Sequence, residues 1–310
     1  MAIYLGTATK KHNRPIVEFA IIIYGLDYQD DPSKILTDFN SDLDSVAINL
    51  HQIEIGGGTE YCWTTIDKAL DGLTWSKRKD DLKLIIIAGN ESFTQEEIDT
   101  KKVINKARKL NVAINTIYCN ATEDKIADEW RKAADQGKGS YFTISLKDSL
   151  NLKENFLDKK LSDFNDRFNE TYIPFGVSGQ KMYNRMLLQD KNSKMAGAPF
   201  FRERVIYKAS DSFINPVWDL IDAFKSDSTI IERIDDLRLQ KESIHNSDDL
   251  KELVINKWHA RESYKDVIRL RYEMITKYLA QNMGDIDLDS AVKSIIDKEA
   301  KRKHFKFKNE

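Results

Sequence analysis

The groups best placed for chemistry lie in the first half of the chain. Glu60 follows the turn Gly56-Gly57-Gly58-Thr59, and Asn90 and Glu91 follow the apolar run Lys83 to Ala88. Cys62 and Cys119 are the only cysteines. A carboxylate such as Glu60 or Glu91 at a strand end could bind a hard cation through oxygen; equally, Asn90 suits a turn needing left-handed backbone. The glycine turn could admit an anion to a helix N-terminus, or Thr59 could simply cap that helix. It lacks the Lys-Ser/Thr of a phosphate-binding loop. Two isolated cysteines make no disulfide framework or zinc motif, so each reads as a small buried hydrophobe or as half of one disulfide. His12, His51, His245, His259 and His304 are scattered, none at a strand end beside a Ser or Cys nucleophile. No catalytic residue is therefore assigned, and the chain is expected not to be an enzyme.

The elements that must position these groups alternate. Ile16 to Tyr24 reads as a strand, Asp27 to Pro32 as a loop and Ser41 to Leu50 as a helix. A helix is expected from Tyr61 to Leu73, then a strand at 83–88 that is apolar throughout, as in a parallel sheet covered on both faces. Thr94 and Glu97 form a capping box for a helix running to Leu110. Val112 to Tyr118, Ala121 to Gln136 and Ser140 to Ile144 read as strand, helix and strand. This alternation predicts a doubly wound, mostly parallel α/β domain over residues 1–146, in which ligands meet the carboxyl ends of the strands. Residues 147–310 are expected to form a helical region, interrupted by the loop Thr171 to Gly179. Its longest helix, near 247–282, carries Leu250, Val254, Trp258, Tyr264, Ile268, Ile275 and Tyr278 at helical spacing. At 1.5 Å per residue it would be roughly 54 Å long.

A 41% hydrophobic, 32% charged composition belongs to a globular chain, and a formal charge of −2 gives no general attraction to nucleic acid. No apolar run approaches the roughly 20 residues that span a bilayer. The first residues have too short an apolar stretch for a signal peptide, and their basic residues follow it.

The segments VEFAIIIYG, GGGTEYC, LIIIAGNESFTQ, INTIYC and DEWRKAADQGKGSYFTI together resemble the von Willebrand factor type A fold. The likeness is nearest to a group of bacterial exported proteins with this domain. It continues through TYIPFG, KASDSFINPVWDLIDA and KHFKF, covering nearly the whole chain. The resemblance implies a metal-ion-dependent adhesion site built from Asp-x-Ser-x-Ser after the opening strand, a Thr near the glycine turn, and an Asp after the central strand. Here the opening strand and its motif are missing, and Gly89 and Asn90 stand where the Asp is expected. The chain is expected to be a fragment or to begin at a misassigned start, inside the first helix of that fold. The vacancy would expose backbone groups on the two neighbouring strands unless another segment or a partner fills it.

Thr59, Glu60 and Glu91 remain as weak metal ligands, so no cofactor is expected; Mg²⁺ would need the missing N-terminal residues. The resemblance to exported proteins implies a periplasmic or exported location and makes a Cys62–Cys119 disulfide as much to be expected as two free thiols. The resulting expectation is a non-enzymatic interaction module with an unidentified protein partner. Its binding edge comprises Gly56–Cys62, Asn90–Gln95 and Cys119–Thr122, with Thr59, Glu60, Tyr61, Asn90, Glu91 and Phe93 as contact residues and Tyr61 and Phe93 as aromatic anchors. The alternatives are a metal-dependent hydrolase using Glu60 and Glu91, or a structural protein that self-assembles through its C-terminal helices.

Overall fold

A computed structural model describes residues 8–9, 15–26, 31–50, 60–120, 124–144, 156–236, 239, 246–282 and 288–307. Gly56 to Thr59, Ala121 and Thr122 lie outside the described residues. The chain divides into two compact units, Ile3–Asn151 with Gly284–Glu310, and Leu152–Met283. The C-terminal segment returns to the α/β unit because its apolar stripe is needed to cover a bare sheet face.

In the first unit, β1 (Ala8–Thr9) pairs antiparallel with β7 (Lys306–Phe307). β2 (Phe19–Tyr24) pairs antiparallel with β3 (Ser33–Asn40), and α1 (Leu43–Leu50) follows. β4 (Leu84–Gly89), β5 (Ala113–Tyr118) and β6 (Lys138–Thr143) form a parallel sheet in the order β4-β5-β6. Three helices cross between these elements: α2 (Cys62–Gly72), α3 (Thr100–Leu110) and α4 (Lys125–Gln136). Among the described residues the fold is thus mixed α/β, with a parallel sheet of three strands. Among the described residues no strand joins β2 to β4, and Ile86 on β4 is 37% exposed.

Side-chain parity along β5 assigns the two faces. Ile114 and Tyr118 pack with Trp63, Ile66, Val103 and Trp130 of the crossover helices. Ile117 points the other way, into Val292, Ile295 and Ile296 of α10 (Leu288–Arg302). Between them, buried Asn115 rivets the sheet: its amide donates to the Ile85 carbonyl at 3.1 Å and its oxygen accepts from the Ser140 N–H at 2.9 Å.

The strand β3 is not legible from periodicity. It is a half-exposed edge strand, with Asp38 turned outward to accept from Thr74. The expected helix from Thr94 begins instead at Thr100, capped by Asp99, whose carboxylate accepts from the Lys102 N–H at 3.1 Å. The Thr94–Glu97 box loses because neighbouring residues are held by distant partners, described below.

The second unit is helical: α5 (Phe156–Asn169), α6 (Gly179–Ala196), α7 (Ala198–Lys208), α8 (Leu220–Ser226), a 3₁₀ segment (Ser228–Asp236) and α9 (Ser247–Asn282). The 36 residues of α9 match the expected long helix. Its buried stripe holds Leu250, Val254, Ile268 and Ile275 as expected, but Arg261 and Lys265 lie buried in the middle. Arg261 clamps Asp219, with Nη1 at 2.5 Å from Oδ2 and Nη2 at 3.1 Å from Oδ1, and sits 4.0 Å over the Tyr172 ring. Asp219 also accepts from the Ile173 N–H at 3.0 Å. The Thr171–Gly179 loop is therefore pinned to the Trp218–Leu220 segment through one guanidinium. A second buried network joins Asp190 of α6 to Arg204 and Lys208 of α7, with Lys208 donating at 2.8 Å to Asn165 of α5. Burial opposes the charge on Asp190, but Lys208 and Arg204 outweigh it and hold the carboxyl well below its usual range.

Removing one partner of a buried ion pair costs about 3–5 kcal/mol, because the other charge stays buried. Arg261→Ala should therefore lower unfolding free energy by about that amount in urea denaturation at neutral pH. Burial and neighbouring Asp219 push the Asp222 carboxyl up, so its proton is taken up more readily in the folded state. The deficit of the variant should then shrink as pH falls through the carboxyl range. A loss below about 1 kcal/mol at neutral pH would contradict a clamp of this kind.

Candidate functional site

The carboxyl ends of β2, β4 and β5 converge on one edge of the first unit. Tyr24 ends β2, and its hydroxyl donates to the Ala88 carbonyl of β4 at 2.6 Å. Gly89 ends β4 under the Glu60 side chain. A Cβ built on Gly89 would lie 2.2 Å from Glu60 Oε2, 2.7 Å from the Tyr24 hydroxyl oxygen and 2.9 Å from Trp130. Only glycine lets these three groups meet. The Glu60 N–H donates to Gln95 Oε1 at 2.7 Å, tying the approach to α2 to the loop after β4.

Three more residues fix that loop. Glu96 Oε1 accepts from the Trp63 and Thr64 N–H groups at 2.5 and 3.1 Å, capping α2 from a distant part of the chain. Glu129 Oε2 accepts from Ser92 Oγ at 2.6 Å and the Phe93 N–H at 3.0 Å. Trp130 Nε1 donates to the Glu91 carbonyl at 2.8 Å. These long-range caps explain why the Thr94–Glu97 box does not start a helix: Ser92, Phe93 and Glu96 are already committed to α2 and α4. At the next strand end, the Tyr118 hydroxyl faces the Asp124 carboxylate at 3.3 Å, and Asp124 caps α4 through the Ile126 and Ala127 N–H groups.

The expected contact residues separate into two groups. Asn90 is exposed, and Glu60, Tyr61 and Glu91 are half-buried on the edge. Phe93 is a correction: it has no exposed surface, and its ring lies edge-on between Trp63 at 5.2 Å and Trp130 at 4.8 Å. It cannot serve as a surface anchor, because its apolar ring is worth more inside the aromatic core. Thr59, the remaining expected contact, is outside the described residues. Tyr24, Gln95, Glu96 and Glu129 complete the site, although the sequence pattern does not single them out. Their polar ends act across 30 or more residues, and no local spacing marks that.

Burial raises the Glu60 carboxyl, with nearby Glu91 adding to the rise and the Glu91 and Asn90 N–H groups partly offsetting it. Glu60 Oε2 is buried without a hydrogen-bond partner. Burial also raises both cysteines: Cys62, beside Glu60 and Tyr24, well above its usual range, and Cys119 to about 11. Both stay thiols near neutral pH and are weak nucleophiles. Each is free in this structure. Among the described residues no group of three or more His, Cys, Asp or Glu side chains is arranged to hold a metal ion. Glu60 and Glu91 can offer carboxylate oxygens, whereas Glu96, Glu129 and Asp124 each have one oxygen engaged by main-chain N–H groups.

A scan against protein-family models, a search of curated proteins and a search of solved structures each found no match to this chain.

A carboxyl raised on folding destabilises the folded state once ionised. Glu60→Gln should accordingly raise the thermal midpoint at pH 7. The gain should fade toward pH 4, where the Glu60 carboxyl is largely protonated in both folded and unfolded chains. A thermal scan at the two pH values checks this. Destabilisation at pH 7 would mean that the ionised carboxylate is needed by its N–H neighbours.

Proposed function

We propose that this chain is a non-enzymatic binding module whose partner, a protein, docks on the carboxyl edge around Glu60, Tyr61, Asn90 and Glu91. The reading extends to an adhesion-type α/β domain resembling von Willebrand factor type A, with a degenerate metal site. One observation supports it above the rest. Glu96 and Glu129 spend their carboxylates on main-chain N–H groups, so they shape the edge and leave Asn90, Glu91 and Tyr61 at its rim. That is the chemistry of a preorganised recognition surface, where aromatic side chains at the centre contribute most. The anchor role falls to Tyr61.

The hydrolase reading draws on Glu60, a carboxyl raised by burial beside a second carboxylate, as acid–base pairs require. The two readings diverge on the rim. Tyr61→Ala with Glu91→Gln should weaken capture of a partner from a cell extract by about tenfold or more, with an unchanged circular dichroism spectrum. The folded double variant pulling down its partner as well as the parent does would refute the binding edge. Glu60-dependent turnover of an ester or phosphoester panel would favour the hydrolase.

Self-assembly has its own support. Leu270, Met274 and Tyr278 recur every four residues on α9 and are 59%, 45% and 52% exposed. This apolar stripe suits a second copy of the same helix. Light scattering should report a dimer that Leu270→Glu with Tyr278→Glu converts to a monomer; a monomeric parent at high protein concentration would dismiss it.

A further inference from the structure

The opposite, amino edge of the parallel sheet holds a cavity of about 200 Å³. Its floor is the Val112–Ala113 entry to β5 and the Gly137 turn between α4 and β6; its walls are the ends of α3 and α10. Five of its lining side chains are cationic, Lys83, Arg108, Lys138, Arg302 and Lys303, against a single carboxylate, Glu299. The chain as a whole is formally −2, so this concentration of positive charge is local.

Main-chain carbonyls hold three of the five cations in place. Lys83 Nζ donates to the Leu110 carbonyl at 3.1 Å, Arg302 Nη1 to that of Lys138 at 3.0 Å, and Lys303 Nζ to that of Lys79 at 2.7 Å. Arg302 also pairs with Glu299 at 2.8 Å. An ammonium has three donors and a guanidinium five, so these contacts leave donors over while fixing the side chains at the rim. Arg108 and Lys138 are exposed at the mouth. Lys138 adopts φ 57°, a left-handed conformation unfavourable for a side chain of this kind, between Gly137 and Gly139.

The ordinary explanation is that the cations neutralise helix ends, since α3, α4 and α10 all terminate here. Each C-terminus carries about half a negative charge, so the three together offset between one and two cations. Glu299 offsets another. Between two and three of the five positive charges exceed the counter-charge of the described lining, and recesses of this kind focus potential.

We propose that this amino-edge cavity binds a compact multivalent oxyanion, a phosphate group either free or carried on a small ester. At about 200 Å³ the recess has room for a phosphate group with part of its hydration. Arg108 and Lys138 would close on the anion from the mouth, and the tethered Arg302 and Lys303 would meet it from the opposite rim. Charge-assisted bonds of this type are about twice as strong as neutral ones.

Calorimetric titration of the full chain at low salt tests the assignment, with inorganic phosphate and glycerol 3-phosphate as separate probes. Saturable one-to-one binding of either is expected, weakening as salt is raised; the tighter of the two identifies the free or esterified source. Arg108→Gln combined with Lys138→Gly removes both mouth cations while relieving the backbone at 138, and should weaken binding by about tenfold or more. The carboxyl-edge pair Tyr61→Ala and Glu91→Gln should leave it unchanged. If the combined variant does not fold, Arg108→Gln alone, at an exposed helix position, carries the test. No saturable binding up to roughly 10 mM of either probe, or a folded mouth variant binding as the parent does, overturns the proposal.

Discussion

A charge taken out of water must meet an opposite charge or a fan of hydrogen-bond donors, because the desolvation cost otherwise exceeds what packing returns. Both units of this protein are arranged around that constraint. In the helical unit, Arg261 answers Asp219 and lies close to Asp222, while Lys208 and Arg204 answer Asp190. Each cluster ties together segments distant in sequence: α9 to the Thr171–Gly179 loop, and α7 to α5 and α6. The apolar contacts of Ile173, Leu220, Ile221 and Val254 surround the first of these. They supply burial energy, while the ion pairs restrict which residues can meet.

The α/β unit applies the constraint differently. At the carboxyl edge of its sheet the buried carboxylates of Glu96 and Glu129 are matched by main-chain N–H groups rather than by cations. This makes the loop after β4 part of the packed structure and sends Phe93 into the core. Two oxygens are exceptions: Glu60 Oε2 and Glu96 Oε2 are buried without a hydrogen-bond partner. At the amino edge, cations gather on the carbonyls of helix and strand ends. The two edges thus have opposite electrostatic character, and the parallel arrangement of β4, β5 and β6 sets it, since the three strands run one way and the helices between them run back the other way, with their N-termini at the carboxyl edge and their C-termini at the amino edge.

Much of the element order was legible. The all-apolar run at β4, the β-branched run at β5 and the 36-residue spacing of α9 each carry their own signal, since burial on one or two faces imposes a period on the residues. Less legible were elements decided by distant partners. β3 is half-exposed and mixed in composition, so its period is weak. The Thr94–Glu97 box has the right local chemistry, yet Glu96 caps a different helix. Of the candidate site, Glu60, Tyr61, Asn90 and Glu91 could be placed on the edge by strand-end reasoning, whereas Phe93 could not be told from a surface aromatic. A lone aromatic after a strand looks alike in sequence whether it points out or in.

By itself, then, the sequence determined the α/β alternation, the helical region that follows and the position of the residues at strand ends, because hydrophobic period and strand polarity are local properties. Tertiary structure alone decided that the sheet is divided between β2–β3 and β4–β5–β6, that α10 returns to cover the face bearing Ile117, and that Arg261 is a buried clamp rather than a surface charge. It also decided which carboxylates face solvent and which are consumed as caps. The physical reason is common to all of these. A charge, a bare sheet face or a helix end specifies that a partner is needed, but only the folded chain brings a particular partner within reach.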